Sequence, residues 1–215
     1  SDEELIRMVE RTKALEAYQE SEEDPEALNC IPMLSREDIR KEITGLTNEE
    51  HFVDDSLFLY HDVCTNGIGY ADLLFEIHNF DTDTVHYLGL LKSVLGAVDT
   101  ENYSYGELFN EVNARTGGIA YGIEVFDSAT DTEAFRAMFA VRGKALYPEM
   151  DFMFSMIREV LTTSRLDDTK RLYEIFARVK SRAQASLVSA GHSTAVLRGA
   201  SYASPMAAFQ DEMAG

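Results

Sequence analysis

The residues best suited to metal or proton chemistry are the five histidines, His51, His61, His78, His86 and His192, and no two of them stand three or four positions apart. Spacing of three or four would set two imidazoles on one helical face, the usual way for a short stretch to grip a metal ion. Metal binding by this chain alone is therefore not expected. His61 and His78 are expected on two adjacent strands, as structural residues rather than ligands. Cys64 near His61 has the residue types of a nucleophile and its base, but no third group to orient them. Cys30 and Cys64 are too far apart for a CxxC motif and are expected as buried thiols in a reducing compartment. Thr65-Asn66-Gly67-Ile68-Gly69 leads into a strand rather than a helix, so its glycines mark a turn and not a phosphate-cradling loop. Neither a GxSxG nucleophile motif nor a dinucleotide fingerprint occurs. Aspartates and glutamates are too numerous for any pair of them to signal acid-base catalysis. Read on residues alone, the chain has no catalytic, cofactor-binding or metal-binding residue to name.

The elements that could position any such group come next. At 215 residues, 45% of them hydrophobic, the chain can bury roughly 70 to 75% of its unfolded surface, enough for one good core. Its 38 acidic against 19 basic side chains give a formal charge of -19, which opposes binding to nucleic acid or an anionic membrane and favours cationic partners. No apolar run reaches the length of a membrane span and no signal peptide is visible, so the expectation is a soluble protein, cytoplasmic, with an organelle matrix as the alternative. Ser1 stands where an initiator methionine would, which raises the expectation of a segment taken from a longer chain.

Asp2–Gln19 places Leu5, Met8, Val9, Thr12 and Leu15 on one helical face, with nine acidic and three basic residues between Asp2 and Asp24. Pro25 interrupts the charged stretch after it, and Ile31 before Pro32 is expected to be extended. Ser35 with Asp38 is expected to cap a helix over Arg36–Ile43. A hairpin is expected next, Leu57–Cys64 turning through Thr65-Asn66-Gly67 into Ile68–His78. Asp81 or Asp83 would cap the following helix, in which Val85, Leu88, Leu91, Val94, Leu95 and Val98 form an apolar stripe. Ser104 and Glu107 make a capping box for a second helix that Gly117 and Gly118 end. Ile119–Phe126 and Phe135–Arg142 alternate as a second hairpin. Pro148 opens a helix with Met150, Met153, Phe154, Ile157 and Leu161 inward. Asp167 or Asp168 caps another, with Leu172, Ile175, Phe176, Val179 and Leu187 inward, ending near Gly191; a broken helix finishes the chain. The expected fold is α+β: a mainly antiparallel sheet with helices packed on one face, preceded by a helical segment.

HDVCTNGIGYADLLFEI and LLKSVLGAVDTENYSYGELFNEVNARTGGIAYGIEVF resemble the insulinase-type zinc peptidases. The likeness is to the presequence-protease branch, and within it to the first domain of the C-terminal half. Thr65-Asn66-Gly67-Ile68, Tyr103 to Leu108 and Thr116-Gly117-Gly118 carry it. EELIRMVERTKALEAYQ and Ile31 to Leu34 look like the helical connector before that half, and Ser189 to His192 with Ala195 and Arg198 like the closing helical region. The resemblance implies a connector over 1–45 and an insulinase-type domain over 46–215. Catalytic domains of the family carry H-x-x-E-H, and registration through Tyr103 and Glu107 puts Leu90, Ser93 and Val94 at its three functional positions. None of these can bind zinc or take a proton, so the resemblance implies a degenerate domain whose partner is a zinc-bearing N-terminal half. Zn2+ is thus implied for that half and not for this chain, and the substrates implied are short unstructured peptides; the acidic excess would favour cationic ones among them. A free-standing non-catalytic subunit and an unrelated acidic binding module are the competing readings.

Overall fold

The computed structural model describes residues 2–21, 30, 32–39, 41–42, 45, 47–78, 82–131 and 134–214. The chain divides into two compact units, Ser1–Asp62 and Val63–Gly215. Among the described residues no helix is long and apolar enough to cross a membrane.

The first unit holds helix α1, Asp2–Glu20, and a hairpin of β1, Glu49–Val53, with β2, Ser56–Tyr60. Its helix has the expected length, yet Leu5, Met8 and Leu15 are 67%, 66% and 54% exposed, so the apolar stripe is largely open to solvent. Ser35 does start a helical turn: its N–H and hydroxyl both donate to Asp38 Oδ2, at 2.8 and 2.9 Å. That turn is a 3-10 segment of three residues, Arg36–Asp38, rather than a helix reaching Ile43; Ile39 is already extended. The bend at Pro25 and the conformation of Ile31 lie outside the described residues.

The hairpin expected between Leu57 and His78 does not form. Ser56–Tyr60 pairs instead with the preceding Glu49–Val53 across a tight Asp54-Asp55 turn, in which Asp54 takes φ 51°. The Thr65-Asn66-Gly67 turn is real, with Asn66 at φ 52° and Gly67 at 83°, but it feeds β3, Ile68–Glu76, into a different sheet.

That sheet belongs to the second unit and runs β3-β5-β4, with β4 Ile119–Asp127 and β5 Phe135–Leu146 antiparallel as the alternation requires. The central strand β5 pairs on its other side with β3, Ile68 opposite Leu146 and Glu76 opposite Met138. Alternation sorts the two faces. Ala137, Phe139, Val141 and Ala145 of β5 point inward and are buried. On the other face Arg136 is bidentate to Glu76, both contacts at 2.9 Å, and Arg142 bridges Asp72 at 3.1 Å and Glu124 at 3.0 Å. Cross-strand pairs of this kind suit a solvated sheet face.

The helices are α2 Thr82–Val94, α3 Tyr105–Arg115, α4 Met150–Thr163, α5 Thr169–Ala200 and α6 Pro205–Ala214. Helix α4 follows a 3-10 turn, Tyr147–Glu149, that contains Pro148, and it lays Met153 and Ile157 on the inner sheet face with Phe139, Val141 and Ala145. It docks closely. A Cβ on Gly69 or Gly143 would stand 2.5 or 2.6 Å from the sulfur of Met150 or Met153. Phe154 is exposed and the inward positions also include Met156 and Val160, because the buried arc follows 3.6 residues per turn more closely than the expected stripe did. Asp168 caps α5, accepting from Arg171 N–H at 3.0 Å. Its Leu172, Ile175, Phe176 and Val179 pack on Val94 and Val98, whereas Leu187 is exposed. The helix breaks at Ala190, φ -135° and ψ 31°, one residue before the expected end, and a second helical stretch follows. Helix α6 returns to bury Phe209 against Val85 and Ala137, and Arg198 holds the buried Asp211 at 3.0 Å. The architecture is α+β. Whether Asp81 or Asp83 caps α2 lies outside the described residues.

Candidate functional site

The stretch most open to chemistry is the end of α2 and its turn into α3. Helix α2 stops at Val94, and Gly96 at φ 74° takes the chain out of the helix. The following loop is tied down at almost every residue. Asp99 Oδ1 accepts from Tyr105 N–H at 2.7 Å, and Asp99 carbonyl accepts from Arg165 N–H at 2.8 Å. Thr100 N–H donates to Tyr103 carbonyl at 2.8 Å. Glu159 of α4 receives three hydrogen bonds from Asn102, two from its amide side chain at 3.1 and 3.0 Å and one from its backbone N–H at 3.0 Å. The Asn102 side chain, and then Thr100, hold the Glu159 carboxyl down at about 2.

Ser104 begins α3 as the spacing requires: its N–H and hydroxyl donate to Glu107 Oε2 at 3.0 and 2.7 Å, and its oxygen accepts from Glu107 N–H at 3.4 Å. This secures a helix whose Leu108 is fully buried beside Met156 and Val160. At the far end Thr116 is the extended cap, and of the two glycines only Gly118 takes positive φ, at 107°.

On this scaffold Val94 is buried against Val98 and Ile175, while Leu90 and Ser93 are half-buried. Leucine and valine offer no lone pair. Among the described residues no group of three or more histidine, cysteine, aspartate or glutamate side chains is placed to hold a metal ion. The three residues that the resemblance sets against the zinc motif, Leu90, Ser93 and Val94, bring no imidazole or carboxylate to hold the ion.

Ser93 does line a cavity of about 330 Å3, with Lys92, Tyr121, Ile175, Arg178, Val179 and Arg182. Burial raises the Tyr121 phenol well above its ordinary range, so it is a neutral hydroxyl. A second cavity, about 500 Å3, lies between the end of α5 and α6 and includes His192, Val196, Leu197 and Met206. Sequence reasoning missed the basic lining of the first, since Lys92 and Arg178 are far apart in the chain and read singly as surface charges.

The other candidates are scattered. His61 falls in the first unit and His78 in the second, each just past the end of a strand, and those two strands do not pair. His78 stands 4.0 Å from Glu76, His86 3.4 Å from Glu212 and His51 3.6 Å from Glu49. Both cysteines are exposed rather than buried, and Cys64 lies in the loop that leads into β3. The Cys64 thiol lies 3.7 Å from Asn66 Oδ1, an acceptor that cannot serve as a base.

Comparison with known proteins places this scaffold. The family described as peptidase M-16C associated matches residues 1–215. Protein HypA of Clostridium perfringens is 32% identical over 211 residues, covering 98% of this chain and 22% of that protein. Presequence protease 1, chloroplastic/mitochondrial, of Arabidopsis thaliana is 26% identical, covering 92% of this chain and 18% of that protein. The mitochondrial presequence protease of Yarrowia lipolytica is 26% identical over 90% of this chain and 20% of its own length. The chain thus spans about a fifth of the length of the curated relatives it matches. The resemblance to the presequence-protease branch holds along nearly the whole sequence, and the chain belongs to this peptidase-associated family, a region of the insulinase type.

Proposed function

We propose that this chain is the non-catalytic part of a zinc-dependent peptidase that degrades short unstructured peptides, and that it helps enclose the chamber in which they are cut. Residues 1–45 serve as the connector to a zinc-bearing N-terminal half, and 46–215 as a degenerate insulinase-type domain. The observation that carries this reading is the match of the peptidase-associated family over residues 1–215. Helix α2, the tied-down loop and the capped α3 form the stretch that carries the resemblance, and that resemblance sets Leu90, Ser93 and Val94 at the motif's positions. The acidic excess would draw cationic peptides toward the chamber, an attraction screened over roughly 8 Å at physiological ionic strength. The relatives named as chloroplastic or mitochondrial support an organelle matrix as one compartment for the parent, beside the cytoplasm.

Elemental analysis and peptide cleavage on this chain and on the longer polypeptide that carries it test the assignment. The expected outcome is stoichiometric zinc and chelator-sensitive cleavage in the longer polypeptide, and neither in this chain. One tightly held zinc on the isolated chain, with chelator-sensitive cleavage, would overturn it.

A further inference from the structure

The cavity beside Ser93 is built from three parts of the second unit. Lys92 and Ser93 come from the last turn of α2, and Tyr121 rises from the inner face of β4. Arg178 and Arg182 stand one turn apart on α5 and so share a face, with Ile175 and Val179 beside them. Among the described residues none of Lys92, Arg178 and Arg182 has an ion-pair partner. Lys144, Arg158, Arg165, Lys170 and Lys180 of the same unit likewise show none, whereas Arg115, Arg136, Arg142, Arg171 and Arg198 are paired. What distinguishes Lys92, Arg178 and Arg182 is that all three line one cavity, Lys92 half-buried and the two arginines exposed, in a chain with 38 acidic side chains to 19 basic. Like charges around a concave site raise one another's energy and focus a positive potential into it, which an anion between them relieves.

We propose that this cavity is a carboxylate-binding site, with Arg178, Arg182 and Lys92 as its cationic donors and the Ser93 and Tyr121 hydroxyls as neutral ones. The guanidinium fork matches a carboxylate in two parallel hydrogen bonds, and two forks one helical turn apart can share one ligand. About 330 Å3 admits a chain terminus or an acidic side chain but not a folded partner. The ligand is then the carboxylate of a peptide. That identity rests on the function proposed above; the anion chemistry does not.

The test is binding of a fluorescein-labelled unstructured peptide to the full polypeptide carrying this chain, with chelator present so that nothing is cleaved. Three forms of the peptide are compared: free C-terminal acid, C-terminal amide, and amide with two added aspartates. The acid is expected to bind roughly tenfold more tightly than the amide, the scale of a charge-assisted hydrogen bond. Arg178→Gln with Arg182→Gln should erase that difference, and Lys92→Gln, a milder change, should narrow it. Arginine-dependent binding of the aspartate form would support the site and assign its carboxylate to a side chain. Equal binding of all three forms, or an acid preference unchanged by the variants, would overturn the proposal. Zinc content and cleavage are separate readouts, so their failure would count against the peptidase assignment and leave the anion site standing.

Discussion

The two units use the same local device to opposite effect. Ser35 with Asp38 and Ser104 with Glu107 make nearly the same pair of hydrogen bonds from the serine N–H and hydroxyl to the carboxylate three residues on. Ser104 starts an eleven-residue helix that buries Leu108; Ser35 starts three residues of 3-10 turn that bury nothing. The same contrast holds for hairpins, since β1 and β2 are exposed along their whole length while β5 lies at the centre of a packed sheet. A cap removes the cost of orphan N–H groups, but nucleating and extending a helix takes packing. Local chemistry decides where an element may start, and burial decides whether it continues.

The comparison can be broken or sharpened by substitution. Met153→Ala removes a fully buried side chain from the helix-sheet interface and is expected to cost the second unit about 2 to 5 kcal/mol, read as a lowered denaturation midpoint. Arg198→Ala leaves the Asp211 carboxylate, 8% exposed, without its cation, and a loss of about 2 kcal/mol is expected by the same measurement. Ser104→Ala should cost about 1 kcal/mol. Its counterpart Ser35→Ala should leave the midpoint unmoved, and equal effects at the two serines would break the contrast. Acid should act through Glu159, whose folded carboxyl lies at about 2 against an ordinary 4.5. Its contribution is complete above about 4.5 and is lost as pH falls toward 2, so Glu159→Gln should flatten the acid limb of a stability profile. Smallest of all, Leu5→Ala, at a side chain 67% exposed, should change stability by less than about 0.5 kcal/mol.

Much of the second unit was legible because its signals are local. Alternation located β4 and β5, the Ser-x-x-Glu box located α3, and Asp168 marked the start of α5 within a residue. The partner of β3 was not legible, since Ile68 pairs with Leu146 and nothing in a turn's composition reports so distant a strand. The Asn66-Gly67 turn misled for the same reason, its chemistry being that of a hairpin that the topology does not use. Strand β1 was missed because Glu49-Glu50-His51 shows no apolar alternation and Asp54-Asp55 lacks the glycine that usually marks such a turn. Of the candidate site, the sequence shows at once that Leu90, Ser93 and Val94, the residues the resemblance sets against the zinc motif, carry no imidazole or carboxylate. The cluster of Lys92, Arg178 and Arg182 could not, because it exists only once α5 lies against α2.

The two sulfur-to-glycine contacts that seat α4 on the sheet carry a further consequence for the chain's response to oxidants. A sulfoxide adds a polar oxygen to a thioether, and neither notch has room for even a methyl group on its glycine. Met153 is shielded by complete burial, whereas Met150 is only half-buried at the helix's first turn. Oxidative damage to this interface would therefore begin at Met150, prise up the start of α4 and only then reach Met153, so that the helix unseats from one end.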